Sequence, residues 1–298
     1  MKLNTCLIAI ALFATACGGS RESVLITDSA KTVDESTATK SSEQSLAGDA
    51  LWAERGDLGK ANGAIEAWEG AAATNPGDAG VQRKLSYAYY FMNNVHLRWN
   101  EDSEDAQKAN YSKGSDSALR ALKAANPAFA TQIVKGEDTD KVWAKALEAA
   151  TKEDVPALYW YATNTAKWAL LEGLGALLKY KDRALLIMKR CKALDSTYFF
   201  GGPSRYLGAY WLKIPFGKSP EKSKSNFDIS LAADATYLDT KILFAEVYAV
   251  RTGNEDLFKK TLEEVLAADE NANAAIVPEN ANAKRRAKNM LENMEDYF

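Results

Sequence analysis

The stretch that most constrains the fold is residues 183–211, which predicts two helices separated by a forced break. Apolar residues recur in its first half at helical spacing and so share one helix face: Ala184, Ile187, Met188, Cys191 and Leu194. Gly201 and Gly202 allow positive φ and end this helix, and Pro203 fits the first turn of the next one. A pair of helices cannot cover its own apolar faces. Such pairs must stack on similar pairs, which is typical of helical repeat proteins.

A recurring spacing of small and large side chains supports a repeat architecture. Offsets of 4, 3 and 5 residues fit the second helix of a tetratricopeptide-type repeat, where they allow close helix approach and then a turn. The four matches are Ala64/Trp68/Ala71/Pro76, Ser115/Leu119/Leu122/Pro127, Ser223/Phe227/Ser230/Ala235 and Phe258/Leu262/Val265/Glu270. The sequence therefore predicts an all-α tetratricopeptide-like array, an α-α superhelix, forming a single domain over residues 46–298.

Three segments depart from the regular repeat. Residues 131–154 predict an inserted helix, and a long apolar helix begins at Pro156 and carries Trp160, Asn164 and Trp168 on one face. Glu172, Gly173 and Gly175 argue against a membrane span for that helix. Residues 280–298 predict an amphipathic C-terminal helix that caps the array.

The N-terminus has the features of a bacterial lipoprotein leader. A short apolar run over residues 7–13 follows Lys2 and is followed by small residues before Cys17. We expect residues 1–16 to be the signal peptide, Cys17 to be lipidated, and residues 17–45 to be a disordered tether. Ordinary cleavage after Ala16 also fits, and the sequence leaves open whether the inner or the outer membrane holds the anchor. The predicted location is the bacterial periplasm.

Composition argues against several classes of function. The chain has 37 Lys+Arg against 40 Asp+Glu, without the basic excess of nucleic-acid-binding proteins. Its single histidine, His96, rules out a multi-histidine metal site or a histidine triad within one chain. Cys191 is predicted to be a small buried residue, and Glu246 either a buried proton-linked acid or an acid paired with Arg or Lys. The sequence predicts no catalytic residue, no metal, no cofactor and no enzymatic activity.

Several blocks, in a fixed order, resemble the T component of bacterial tripartite ATP-independent periplasmic (TRAP) transporters. The blocks are residues 157–160, 194–198, 201–203, 245–249, 262–269 and 296–298. The resemblance spans about residues 48–298. It implies a periplasmic lipoprotein with a tetratricopeptide-like fold that associates with the solute-binding P component and encloses a channel to pass or hold ligand.

Aromatic side chains not used in packing are available to line the concave face of such an array. The predicted ligand-lining residues are Tyr89, Tyr90, Trp160, Asn164, Trp168, Arg205, Tyr210 and Trp211. Arg205 either contacts a ligand carboxylate or pins the preceding loop through backbone carbonyls or Asp195.

Two functions follow from this sequence. The first is a lipid-anchored T component that binds the P component and holds a small organic-acid or hydrophobic ligand. The alternative is a tetratricopeptide scaffold for envelope assembly that binds peptide segments of its partners. A homo-oligomer is compatible with both, and binding to nucleic acid is not expected.

Overall fold

The computed structural model describes residues 34–135 and 138–298. The predicted leader, Cys17 and the tether as far as residue 33 lie outside this described part. Within it, every regular element is helical and there is no β-strand. The all-α prediction is confirmed.

The described chain forms thirteen α-helices. Their bounds are α1 Glu35–Trp52, α2 Leu58–Thr74, α3 Ala79–Phe91, α4 Glu104–Ala125, α5 Pro127–Lys135, α6 Asp140–Glu148, α7 Val155–Glu172, α8 Leu174–Leu194, α9 Tyr198–Lys213, α10 Pro220–Ala233, α11 Asp239–Leu243, α12 Glu255–Ala267 and α13 Val277–Glu292. A π-helical turn, Met92–His96, and a 3-10 turn, Leu97–Trp99, extend α3, and a π-helical segment, Phe244–Ala249, extends α11.

Neighbouring helices pack as pairs, α1 with α2, α3 with α4, α7 with α8 and α9 with α10. Residues of the repeated spacing are buried in three of these pairs, as Trp68, Leu122 and Phe227 show. Phe258 of α12 is also buried, and α12 packs against α13. The inserted helix predicted in residues 131–154 is α6, and a further short helix, α5, precedes it. The helix-pair organisation is thus present, whereas the superhelical twist stays a prediction.

Gly208 sets the distance between α9 and α10, because a Cβ at this position would lie 2.8 Å from the ring of Phe227. Alanine favours helix by about 1 kcal/mol over glycine, but Phe227 is fully buried and has no room to move. We expect Gly208→Ala to lower the free energy of unfolding by about 1–3 kcal/mol, measured by urea denaturation. Gly175→Ala is the control, since a Cβ there meets nothing within 4 Å. Equal effects of the two substitutions would contradict this account.

Helix α1 begins at Glu35, so residues 35–45 are helical and do not belong to a disordered tether. Apolar periodicity does not reveal this helix, because polar contacts hold it against α2. Ser41 donates to the carbonyl oxygen of Ala71 at 3.1 Å, and Trp68 donates its indole N–H to the carbonyl oxygen of Ser45 at 3.1 Å. The predicted boundary at residue 46 is therefore too late.

The C-terminal helix α13 does more than cap the last pair. Besides packing on α11 and α12, it reaches the turns that follow α3. Asn282 accepts from the indole N–H of Trp99 and donates to the carbonyl oxygen of Asn94, both at 3.1 Å. Glu279 forms a buried ion pair with Arg55 at 2.9 Å. These contacts join the N-terminal and C-terminal parts of the helical array.

The break before α9 is a left-handed turn, with φ of +47° at Phe199, +58° at Phe200 and +71° at Gly201. Positive φ was expected at Gly201 and Gly202, but Gly202 keeps a negative φ. Its lack of a side chain serves a different purpose, because a Cβ there would lie 2.9 Å from the ring of Tyr159. Two phenylalanines in the left-handed region mark a strained turn that its surroundings must hold in place.

Candidate functional site

A cavity with a volume of about 110 Å³ lies between α7 and α9. Further wall residues come from α3, α8, α11 and α13. A buried water needs about 10–15 Å³, so the cavity has room for roughly 7–11 waters, or for a small organic molecule of similar size. The cavity is the strongest candidate for a ligand site in the described chain.

Helix α7 forms one wall of the cavity along most of its length. Tyr159, Thr163, Lys167 and Leu170 line it at spacings of four, four and three residues, which keeps them on one helix face. Exposure increases along this face, from 4% at Tyr159 to 41% at Leu170. The cavity is therefore closed at the Tyr159 end and opens at the Leu170 end.

An ion-pair network from α11 and α13 forms the back of the cavity. Arg286 binds Asp239 through one guanidinium nitrogen and Glu246 through another, the latter at 2.8 Å. Burial by itself would raise the pKa of Glu246, but Arg286, Lys213 and Lys167 together lower this pKa to about 2. Glu246 is therefore an ion-paired acid rather than a proton-linked one. Its side chain is 31% exposed, whereas that of Arg286 is 6% exposed.

Cations outnumber carboxylates around this interior. The carboxylates are Asp239 and Glu246, both taken by Arg286, whereas the cations are Arg98, Lys167, Arg205, Lys213 and Arg286. Lys181 also lines the cavity, but it is paired with Asp182 at 2.8 Å. The cavity carries a net positive charge, which favours an anionic ligand.

Lys167 is the most perturbed cation of the site. Over residues 34–135 and 138–298 it makes no hydrogen bond and no ion pair. Burial lowers the pKa of its ammonium group, and repulsion from Lys213 lowers it further, to about 7. A lysine in a buried environment that is about half deprotonated at neutral pH is characteristic of a functional site.

Three of the predicted ligand-lining residues, Tyr90, Arg205 and Tyr210, lie in the cavity wall. Arg205 uses its guanidinium to hold the left-handed turn, donating to the carbonyl oxygens of Phe199 and Phe200 at 3.1 Å each. It also donates to the hydroxyl of Tyr159 at 3.3 Å. Of the two roles considered for Arg205, loop pinning is the one the contacts describe, and it acts through carbonyls rather than through Asp195.

The three predicted ligand-lining residues on α7 lie outside the cavity lining. Trp160 donates to the hydroxyl of Tyr198 at 3.0 Å, and Asn164 donates to the carbonyl oxygen of Ser86 at 2.9 Å. Trp168 packs edge-on against Tyr180. This stripe is the packing face of α7, and the cavity face is displaced from it by one residue.

Tyr89 and Trp211 also lie outside the cavity lining. The hydroxyl of Tyr89 donates to Glu69, and the Trp211 ring centroid lies 4.4 Å from the ammonium of Lys222. Both aromatic rings are used in contacts with polar neighbours near the surface. Aromatic content alone therefore does not identify the lining.

The residues that sequence reasoning missed are Lys167, Lys213 and Arg286. A signal for Lys167 was present, because it is the single charged residue between positions 155 and 171 of an otherwise apolar helix. Lys213 and Arg286 carry no such signal, since lysine and arginine are ordinary near the end of a helix and on an amphipathic one. Their meeting with Lys167 depends on the fold.

A second concave region lies on the other side of the left-handed turn. This groove has a volume of about 760 Å³ and is lined in part by Trp52, Tyr87 and Phe199. The Phe199 ring centroid lies 5.2 Å from that of Tyr87 and 6.0 Å from that of Tyr159, which lines the cavity. The groove and the cavity are thus separated by a thin layer of aromatic rings.

Neither Cys191 nor His96 is placed for catalysis or metal binding. Cys191 is fully buried in the core around α7 and α8, and burial raises the pKa of its thiol, which disfavours a thiolate nucleophile. His96 donates to the carbonyl oxygen of Arg55 at 2.9 Å. In the described part of the chain there is no group of three or more His, Cys, Asp or Glu residues arranged to bind a metal. None of the helices described here is long and apolar enough to cross a membrane.

The chain is similar to known proteins. A family model described as "TRAP transporter T-component" matches residues 69–298, a range that contains every helix lining the cavity. An uncharacterised protein of Treponema pallidum (strain Nichols) is 25% identical over 254 residues, which cover 78% of this chain and 77% of that relative. The chain belongs to the TRAP transporter T-component family.

Proposed function

We propose that this protein is a periplasmic, lipid-anchored accessory of a TRAP transport system. In this role it binds the solute-binding P component and holds a small ligand in the cavity between α7 and α9. The observation that carries the proposal is the cavity itself, which is charged inside and opens to the surface within the range matched by the family.

The mouth of the cavity has the composition of a protein-binding surface. Leu170 lies in the mouth, and Leu174 and Leu178 continue from it onto α8, with exposures of 59% and 40%. Phe216, two residues after the cavity-lining Ile214, is 74% exposed. Exposed apolar side chains grouped at an opening favour contact with another protein. We place the P component over this mouth, where ligand has the shortest path between the two proteins.

The docking surface is tested with Leu174→Glu, by titration calorimetry against a purified P component from the same organism. We expect the affinity to fall about tenfold or more, because a charge replaces an apolar side chain at the contact. Leu58→Glu is a matched control, since Leu58 and Leu174 are both exposed first residues of helices. Failure of the unmodified protein to bind the P component, or equal loss in both variants, would argue against this function.

The lipid anchor is tested at Cys17, which precedes the described residues. We expect Cys17→Ala to abolish labelling by a fatty-acid analogue and to leave the protein soluble or uncleaved. Labelling is read by gel fluorescence after membrane fractionation. Continued labelling of the variant would contradict the assignment of Cys17.

A peptide-binding scaffold for envelope assembly is the second candidate function. The groove lined by Trp52, Tyr87 and Phe199 favours it, because aromatic grooves of this size suit extended peptides. A screen of envelope-protein peptides against the purified protein would test it. Enrichment of peptides that bind at Trp52 would support this function. A small molecule that co-purifies in the cavity would count against it.

A further inference from the structure

We propose that the cavity is a binding site for a small organic anion with an apolar body. Its anionic group is held between the ammonium groups of Lys167 and Lys213, and its apolar part lies toward Leu170 and Leu177 at the mouth. This inference deepens the proposed function, and it depends on that function only in treating the cavity as a ligand site.

The positions of the two lysines follow from helix geometry. Helices α7 and α9 run in the same direction, since Tyr159 meets Arg205 in their first halves and Lys167 lies near Lys213 toward their ends. They meet at the closed end of the cavity, where the hydroxyl of Tyr159 lies 3.3 Å from the guanidinium of Arg205. Lys167 is eight residues beyond Tyr159, and Lys213 is eight residues beyond Arg205. At a helical rise of 1.5 Å per residue, eight residues span about 12 Å. Both lysines therefore lie about 12 Å from the closed end, at the same depth in the cavity.

Among the described residues, neither lysine is bonded to an anion, and Glu246, whose pKa both lysines help to lower, is bonded to Arg286. Within the described ranges, Lys167 and Lys213 make no ion pair and no hydrogen bond, although both line the cavity. The nearby carboxylates are already engaged, since Arg286 binds Asp239 and Glu246. Both lysines are partly buried, and their ammonium groups repel each other. An anion placed between them would be stabilised by both.

The charge of the site discriminates between ligand classes. A cationic ligand would meet like charge on both walls, and a neutral apolar ligand would remove water from two ammonium groups without replacing it. An anion supplies the missing partner for both lysines. The lysine pair, rather than the aromatic rings around it, therefore determines which class of ligand the cavity binds.

The remaining lining sets the size and the polarity of the ligand. Ala166, Ala169, Leu170, Leu177 and Ile214 give the outer part of the cavity an apolar surface. A volume of about 110 Å³ corresponds to roughly 7–11 water-sized units. A short-chain carboxylate fits both limits, with its carboxylate at the lysines and its chain pointing to the mouth.

Anion binding is coupled to the protonation of Lys167. In the unliganded protein the pKa of Lys167 is about 7, so the site is only partly charged at neutral pH. A bound anion favours the ammonium form, and the protein takes up a proton on binding. The charged groups facing Lys167 from the surrounding helices are Arg98, Lys181, Arg205, Lys213, Asp239, Glu246 and Arg286. The arginines and Glu246, whose pKa is about 2, keep their charges between pH 6.5 and 8.5.

The test compares three six-carbon probes that differ only in their head group: hexanoate, hexanol and hexylammonium. Titration calorimetry on the purified chain at pH 6.5 should show saturable binding of hexanoate, at least tenfold weaker binding of hexanol and no binding of hexylammonium. The affinity for hexanoate should fall roughly tenfold at pH 8.5, where Lys167 has lost its proton. Hexanol binding as tightly as hexanoate would overturn the proposal.

Variants assign the binding to the lysine pair. Lys167→Met and Lys213→Met should each weaken hexanoate binding at least tenfold, with circular dichroism showing an unchanged helical fold. Lys259→Met, at an exposed position of α12, should bind as the unmodified protein does. Retained hexanoate affinity in both cavity variants would refute the site. P-component binding with no hexanoate binding would refute this inference alone, and the reverse result would refute the accessory role alone.

Discussion

Arg286→Met is expected to lower the free energy of unfolding by about 3–5 kcal/mol, the usual cost of removing one partner from a buried ion pair. The reason is that Asp239 and Glu246 would lose their shared cation in the interior, where Asp239 is buried. Methionine fills much of the same volume, so the loss reflects uncompensated charge more than a cavity. Urea denaturation at pH 7 measures the effect.

Two further variants separate charge from packing at Arg286. Lys288→Met on the same helix removes a cation that is 71% exposed, and it should change the stability by less than about 0.5 kcal/mol. Combining Arg286→Met with Asp239→Asn and Glu246→Gln removes the whole charged network. That triple variant should recover most of the lost stability, because no unpaired charge is left in the interior. If it is no more stable than Arg286→Met alone, the charge explanation is wrong.

Lys167→Met is expected to have the opposite effect and to stabilise the unliganded protein at pH 6–7. Burial lowers the pKa of Lys167 from its ordinary value of 10.5 to about 7 in the folded protein. At 1.36 kcal/mol per unit, this shift corresponds to a folding penalty on the order of 3–5 kcal/mol. Methionine avoids that penalty, so removing the proposed ligand-binding group should increase stability, a trade-off common at functional sites.

The pH dependence gives this prediction a distinctive signature. Between pH 7 and 10.5 the unfolded chain binds more protons at Lys167 than the folded chain does, so stability should rise with pH across this window. The penalty is fully present below pH 7. Lys167→Met should remove this rise, and denaturation at pH 6.5 and 9 would show it. A variant less stable than the unmodified protein at pH 6.5 would contradict the prediction.

The positive charge of the interior also bears on which ligand class the proposed site would bind. Sequence reasoning allows an organic acid or a hydrophobic ligand, because it finds aromatic residues without knowing their environment. In the structure, most of these rings pack against other helices, and lysines and arginines face the cavity. The hexanoate and hexanol measurements decide between these two ligand classes.

The helical class, the helix pairs and the breaks between them could be predicted from the amino-acid pattern alone. The spacing of Trp68, Leu122 and Phe227 identifies paired helices, because burial at a helical period is a local property. The break at Gly201 and the inserted helix α6 are predicted for the same reason. Helix α1 escaped prediction, since polar contacts with α2 take the place of an apolar stripe.

Which residues face the cavity depends on how the helices pack in three dimensions. Trp160 and Lys167 lie on neighbouring faces of one helix, and the packing of α3, α4, α8 and α9 around it buries the first and leaves the second facing the interior. Likewise, Arg286 meets Glu246 across 40 residues of chain, and Glu279 meets Arg55 across 224. Charge pairing between distant segments leaves no periodic mark in a sequence, so the site had to be found in three dimensions.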